Sequence, residues 1–243
     1  NASAVGSTAG GVSVTSGAAL QLQGATVGAE ALTLNGNGIT SDGALRFISG
    51  TNSWSGAISL AAASRINADA GTNSLTGGIT GTGYALSVGG AGNLTISSNG
   101  INTSSNGTLT KDGSGTLTLS ASSNYTGATN ISAGTLKLGA SNVIDNSSAV
   151  TVSGTFDLNS YSETVGSISG AGTIDGTSGT PVLTCGGDNS STTFSGLITD
   201  ASGTLGLTKA GSGTLTLSSA NTHSGTTTLS AGTLNINNAA AIG

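Results

Sequence analysis

The feature that most restricts this chain is a 30-residue segment that occurs twice. Residues 109–138 read LTKDGSGTLTLSASSNYTGATNISAGTLKL and residues 207–236 read LTKAGSGTLTLSSANTHSGTTTLSAGTLNI. They align without a gap at an offset of 98, with about 18 of 30 positions identical. Self-similarity of this kind marks repeat architectures, in which each unit buries its apolar face against its neighbours. Within each copy the pattern alternates with a period of two. Leu117 and Leu119 share one face and Thr116 and Thr118 the other, and Leu215 and Leu217 alternate with Thr214 and Thr216 in the same way. That is how a strand with one buried face reads. Each run follows a tight turn, Asp112 to Gly115 or Ala210 to Gly213, where glycine accepts the positive φ that other residues resist. The same alternation predicts strands at 31–34, 57–60, 85–88, 94–97, 149–152, 155–158 and 182–185, and no stretch has sustained helical periodicity.

Two all-β architectures fit such a chain. Tandem sandwiches of about 100 residues each would repeat at this offset, whereas a β-solenoid would stack short strands coil on coil. Composition separates them. Of 243 residues 42 are glycine, 35% are hydrophobic and only 3% are aromatic, so the core must be assembled mainly from Leu, Val, Ile and Ala. Wide sandwich cores usually bury large rings, while a solenoid needs only narrow aliphatic ladders with Ser, Thr and Asn outside. The expectation is therefore an all-β, single-stranded parallel β-helix, one continuous solenoid over residues 1–243. At about 20 residues per coil and about 4.8 Å per coil, it should make about 12 coils in a rod about 55 to 60 Å long.

Charge excludes several functions. The formal charge is −5, and the five cations Arg46, Arg65, Lys111, Lys137 and Lys209 are dispersed in sequence, which disfavours nucleic-acid binding. No apolar run approaches the ~20 residues that a spanning helix needs, so membrane insertion by this chain is not expected. A start at Asn1 without a signal peptide suggests a processed or excised piece of something longer. Cys185 is the single cysteine and cannot form an internal disulfide; a small buried hydrophobe is its simplest reading.

The segments LTKDGSGTLTLS and LTKAGSGTLTLS, with their continuations SNYTGATNISAGTLKLG and ANTHSGTTTLSAGTLNINN, resemble the passenger-associated transport repeat of bacterial autotransporters. The shared motif is a Lys-x-Gly-x-Gly turn, a Thr-Leu-Thr-Leu strand, a Tyr-Thr-Gly corner and an Ala-Gly-Thr-Leu strand. Two full copies cover about a quarter of the chain, and LTLNGNGITSDGALR, GTNSWSGAISL and GGDNSSTTFSGLIT resemble connecting coils of the same proteins. The resemblance implies a right-handed β-helix secreted through the outer membrane by a C-terminal barrel, with the repeat aiding folding or transport. This chain departs from the pattern at His223, where the family has an aromatic residue as at Tyr125, and at Cys185, where an aliphatic residue is usual.

A catalytic reading has few residues to work with. His223 is the sole histidine and the counterpart of Tyr125, so a structural corner role is expected for both. The carboxylates Glu30, Asp42, Asp69, Asp112, Asp145, Asp157, Glu163, Asp175, Asp188 and Asp200 are scattered in sequence. Since coils stack, an acid and a base could still meet across neighbouring coils, and a carbohydrate-active β-helix is the alternative function. No calcium-binding nonapeptide array is present, and neither a cofactor, a metal nor a catalytic residue is assigned. Threonine arrays can bind ice only when repeated on every coil; concentrated in the two copies, they read as outward strand residues. The function expected is structural or adhesive: a non-catalytic, secreted passenger at the outer cell surface, forming a stalk, surface layer or filament. Its partners would be a host or surface glycan or protein, or another copy. Self-association end to end or laterally is expected because neither NASAVGSTAG nor NNAAAIG carries a charge or proline to blunt a strand edge.

Overall fold

The structure, a computed structural model, describes residues 9–243. Its strands pair in parallel and stack into a β-solenoid of about 11 turns. Parallel strands require a long return between partners, and here the return is a complete coil. Between Leu20 and Thr233 the chain completes ten coils of about 21 residues each. That is one turn fewer than expected from sequence. Coils such as Leu20 to Leu45 and Ser167 to Thr192 run to about 25 residues because longer corners are inserted. Ile39–Ser41, a single 3-10 turn in one such corner, is the sole helical element among the described residues.

Each coil contributes to three faces in fixed order. The first face stacks Leu86–Gly89, Leu109–Lys111, Thr129–Ile131, Ala149–Val152, Ser167–Gly170, Thr192–Phe194, Thr214–Leu217 and Thr233–Ile236. The second stacks Thr51–Trp54, Thr72–Leu75, Asn93–Ile96, Thr116–Leu119, Thr135–Leu138, Thr155–Asp157, Thr173–Asp175 and Leu197–Thr199. The third stacks Glu163–Thr164, Val182–Cys185, Gly206–Lys209 and Thr227–Leu229. Nearer the N-terminus the 11-residue strand Ile58–Ala68 bends from the third face, where Ile58 pairs with Leu32 and Ile79, onto the first, where Ile66 pairs with Leu45 and Val88.

The core consists of ladders of like residues. Leu94, Leu117, Leu136, Phe156, Ile174 and Ile198 form one on the second face, all 0–1% exposed, and Trp54, Leu75, Ile96, Leu119 and Leu138 form the next. Five of the seven aromatic rings lie in the core. Trp54, Tyr125, Phe47, Phe156 and Phe194 are all buried, filling coils that aliphatic side chains alone would leave underpacked. Nor is the interior wholly apolar. Asn52 and Asn73 are 1% exposed. The Asn52 amide donates to Asn73 Oδ1 at 2.8 Å, and that of Asn73 donates to the Asn93 carbonyl at 3.0 Å, so each side-chain amide bonds along the stack.

Threonine is more regular than the sequence reading allowed. Thr51, Thr72, Asn93, Thr116, Thr135, Thr155 and Thr173 stand in one outward column, in register, well outside the repeat copies. The adjacent column runs Ser53, Ser74, Thr95 and Thr118, then turns to Lys137, Asp157 and Asp175. A flat two-column hydroxyl array therefore stops at Thr118.

Candidate functional site

The two repeat copies place the most distinctive chemistry. In Leu109–Lys111 the period of two puts Lys111 on the same inward face as Leu109, and Lys209 is placed likewise; they are 2% and 1% exposed. Lys111 occupies the ladder Ile66, Val88, Lys111, Ile131, Val152, continuing it with its aliphatic stem. Its ammonium reaches the corner and donates to the carbonyls of Asp112 at 2.7 Å, Gly113 at 2.9 Å and Ala133 at 3.2 Å. Lys209 donates to the carbonyls of Ala210, of Gly211 at 3.0 Å and of Ala231 at 3.4 Å. Each lysine thus ties the glycine turn of its own coil to the corner of the next. Burial pushes Lys111 down to about 8, with Asp112 opposing and Arg65 adding to the shift. Dispersed cations were the sequence expectation for these two residues. Their alternation with Leu109 and Leu207 was the signal that they point inward.

The first copy carries a further bridge. Arg65 donates to both oxygens of Asp112, at 2.6 and 2.7 Å, although they lie two coils apart. Gly89 makes this reach available: a Cβ there would come within 2.1 Å of both Arg65 and Asp112 atoms. Ala210 stands at the corresponding turn of the second copy and offers no carboxylate.

Tyr125 and His223 are geometric counterparts. Both are buried, at 0% and 1% exposure, and each bonds the threonine four residues on: Tyr125 Oη to Thr129 Oγ1 at 3.0 Å, and His223 Nε2 to Thr227 Oγ1 at 3.0 Å. In the first copy Thr129 is further bonded to Ser148 at 2.9 Å. His223 Nδ1 has no partner, and burial lowers the imidazole pKa while Asp200 opposes. Cys185 pairs in register with Lys209 as Val88 does with Lys111, which places it in the aliphatic position of the ladder; burial pushes its thiol up to about 12.

The acidic residues are taken up singly or by cations. Asp42 and Asp69 bind Arg46 at 3.2 and 2.6 Å. Asp145 caps Ser147 at 2.9 Å, Asp188 accepts from Ser167 at 2.6 Å, and Asp200 accepts the Leu205 amide at 2.9 Å and the Ser224 amide at 2.7 Å. Glu163 is 1% exposed and accepts the Val143 amide at 2.9 Å; burial pushes its carboxyl up to about 7 against the backbone bonds. Glu30 is buried as well, with Oε1 unpartnered. Asp157 and Asp175 are adjacent in register. Asp157 is nonetheless 6% exposed and fully engaged, by Lys137 at 3.1 Å, the Asn159 amide at 2.7 Å and Thr177 at 3.0 Å. Burial raises Asp175 above the usual carboxylate range. Among the described residues no group of three or more His, Cys, Asp or Glu is placed to hold a metal ion.

One shallow groove of about 240 Å³ lies on the third face, lined by Thr180, Val182, Thr204, Thr208, Thr226 and Thr228 around Gly206. It exists because Gly206 follows Val182 in an outward column and contributes no side chain. It contains no charged group and no ring.

The copies also differ in orientation. Leu109–Lys111 lies on the first face and Thr116–Leu119 on the second, whereas Gly206–Lys209 lies on the third and Thr214–Leu217 on the first. The offset of 98 residues is four coils and two-thirds of another, so the unit folds alike on different sides of the solenoid.

Comparison with known sequences agrees with this geometry. The passenger-associated-transport-repeat family model matches residues 109–138 and 207–236. The chain is 34% identical over 161 residues to the adhesin BmaC autotransporter of Brucella suis biovar 1 (strain 1330). That similarity takes in 63% of this chain and 4% of the adhesin's length. No solved structure matches the chain. The chain thus carries two passenger-associated transport repeats, and in its repeat units, in the lysine and corner geometry they share and in this relative it is similar to autotransporter passenger domains.

Proposed function

We propose that this chain is a rigid, non-catalytic passenger at the bacterial cell surface, whose task is to hold out and present adhesive surface. The observation that carries the reading is the commitment of its polar chemistry to the stack. All five cations are engaged, three with carboxylates and two with corner carbonyls. The sole histidine is buried at a corner. A chain hydrogen-bonded coil to coil behaves as a quasi-one-dimensional rod whose reach grows with the number of coils, which suits a stalk. The adhesin name of the relative supports display outside the cell; the proposed target of the adhesive surface is a glycan or protein of another surface.

The test uses beads coated with the purified chain, presented to cell surfaces and glycan arrays, alongside a turnover assay on polysaccharides and peptides. Retention without turnover is the expected result. Cleavage of a polysaccharide that disappears in Asp157→Asn or Asp175→Asn would replace this reading with the carbohydrate-active one.

A further inference from the structure

The groove on the third face surrounds a glycine that packing does not demand. Gly206 lies at its centre, between Val182 of one neighbouring coil and Thr226 of the other, so the hollow is bounded by coils on both sides and belongs to the sheet face. Most glycines of this solenoid are imposed by close contact: a Cβ at Gly225 would come within 2.4 Å of the Leu205 backbone, and one at Gly196 within 1.9 Å of the Gly172 carbonyl. At Gly206 the atoms nearest to such a Cβ, the Thr226 carbonyl oxygen and Val182 Cγ2, are 3.3 Å away, and the backbone there has no positive φ. The first copy carries Thr108 at this position, partly exposed between Ala85 and Ala128. The repeat thus accepts a threonine where the second copy leaves a hollow.

We propose that this groove binds one neutral sugar unit of a surface glycan, an inference that rests on the adhesive reading above. Thr180, Thr204, Thr208, Thr226 and Thr228 ring the hollow with five hydroxyls, each able to donate one hydrogen bond and accept two. Among the described residues those hydroxyls make no side-chain bond to the protein, in contrast to Thr129 and Thr227, which are each bonded at 3.0 Å. They are therefore available to the hydroxyls of a ligand. Their β-branched side chains are stiff at χ1, and the chain's one proline, Pro181, fixes the backbone between Thr180 and Val182. Little ordering cost remains to be met on binding. The threonine methyls, with Val182 at 38% exposure, offer apolar contact to the C–H groups of a sugar ring. Volume sets the extent of the ligand. At about 240 Å³ the groove falls below the roughly 300 to 1,000 Å³ of sites that enclose drug-sized molecules, so it takes a single ring. Charge sets the class. The lining has no ionised group to pair with a charged ligand. Asp200, held by the Leu205 and Ser224 amides at 2.9 and 2.7 Å, fixes a negative charge beside the edge formed by Thr204 and Gly225. An anionic sugar would lose hydration there without gaining a partner. Affinity for one ring should be weak, on the order of mM, and is raised by multivalency when many copies share a surface.

The test titrates the isotope-labelled full chain with the methyl glycosides of glucose, galactose, mannose and N-acetylglucosamine, and with sialic acid as the anionic control, while backbone amide shifts are followed. At least one neutral glycoside should move the amides of Gly206, Leu207 and Thr208 saturably, and sialic acid should not. Gly206→Thr, which installs the residue of the first copy, should retain the wild-type circular dichroism spectrum and weaken binding about tenfold or more. Thr208→Val and Thr226→Val keep the side-chain shape and remove one hydroxyl, and each should weaken binding about threefold or more. The proposal is overturned if no neutral glycoside gives a saturable shift up to about 50 mM, if the shifts map to another face, if sialic acid binds more tightly, or if Thr208→Val and a folded Gly206→Thr bind as wild type does. Coated beads separate this inference from the adhesive reading. Equal retention of wild-type and Gly206→Thr beads on cells would overturn the groove's role and leave adhesion standing. Saturable shifts at Gly206 without retention of wild-type beads would support sugar binding in the groove and remove the adhesive reading.

Discussion

The two copies of the repeat are one sequence folded in two surroundings. The first has coils on both sides; the second is covered only on the side toward the N-terminus. What survives the change is local: inward Leu117 and Leu215, buried Lys111 and Lys209, and a corner ring bonded to the threonine four residues on. The repeat therefore encodes its own turn and its own inward face. A buried charge also divides them. Glu163, beyond the end of the first copy, accepts the Val143 amide, whereas the titrating group inside the second copy is His223, in the place of Tyr125.

The sharpest contrast comes from the ladders. Leu117→Asp buries a charge without a partner in the covered copy and should cost about 4 kcal/mol or more in urea unfolding, while Thr116→Asp, facing outward, should change stability by about 0.5 kcal/mol or less. Equal effects would mean that the facing is wrong.

Glu163 and His223 should respond to pH in opposite directions. Glu163 has its folded pKa raised from 4.5 to about 7, so the folded state holds a proton that the unfolded chain releases. Stability is full below pH about 4.5 and falls as pH rises toward 7, by roughly 3 kcal/mol in total. Hydrogen exchange at the Val143 amide, corrected for intrinsic rates, should report this loss, and Glu163→Gln should flatten it.

Removing a lysine clamp should have an intermediate effect. Lys111→Ala leaves the carbonyls of Asp112, Gly113 and Ala133 without their donor, for a loss of about 2 kcal/mol. Lys209→Ala should cost less, since Ala231 is exposed and water can replace the ammonium. Parallel thermal melts of the two variants would decide whether coverage sets the value of the clamp.

The smallest effect is expected at His223. Its folded pKa lies below 6.5, so its contribution is present above that pH and lost as pH falls. His223→Tyr should fold normally and remove this acid sensitivity, restoring the bonding pattern of Tyr125. Exchange protection in the second copy, followed from pH 7 to 5, is the measurement.

Much of this was legible in the residues. The strands at 116–119, 149–152 and 182–185 follow from alternation alone, because inward and outward environments differ so strongly in a half-buried strand. The equivalence of Tyr125 and His223 followed from the gapless alignment. From sequence the lysines were only dispersed cations, because a buried ammonium requires carbonyls from two coils, and sequence does not say which corners meet. For the same reason the Arg65–Asp112 bridge over Gly89 and the Asn52–Asn73 ladder were not anticipated. The rotation of the second copy by two-thirds of a coil depends on corner lengths, to which strand patterning is blind.

The central claim is that all these coils belong to one in-phase parallel stack. It is tested most directly by a spin-label distance between Thr33 and Thr228, outward residues on the third face and nine coils apart, in a Cys185→Ala background. At about 4.8 Å per coil the account predicts a single narrow distribution near 43 Å. A broad distribution, or a narrow one far from that distance, would contradict the continuous solenoid.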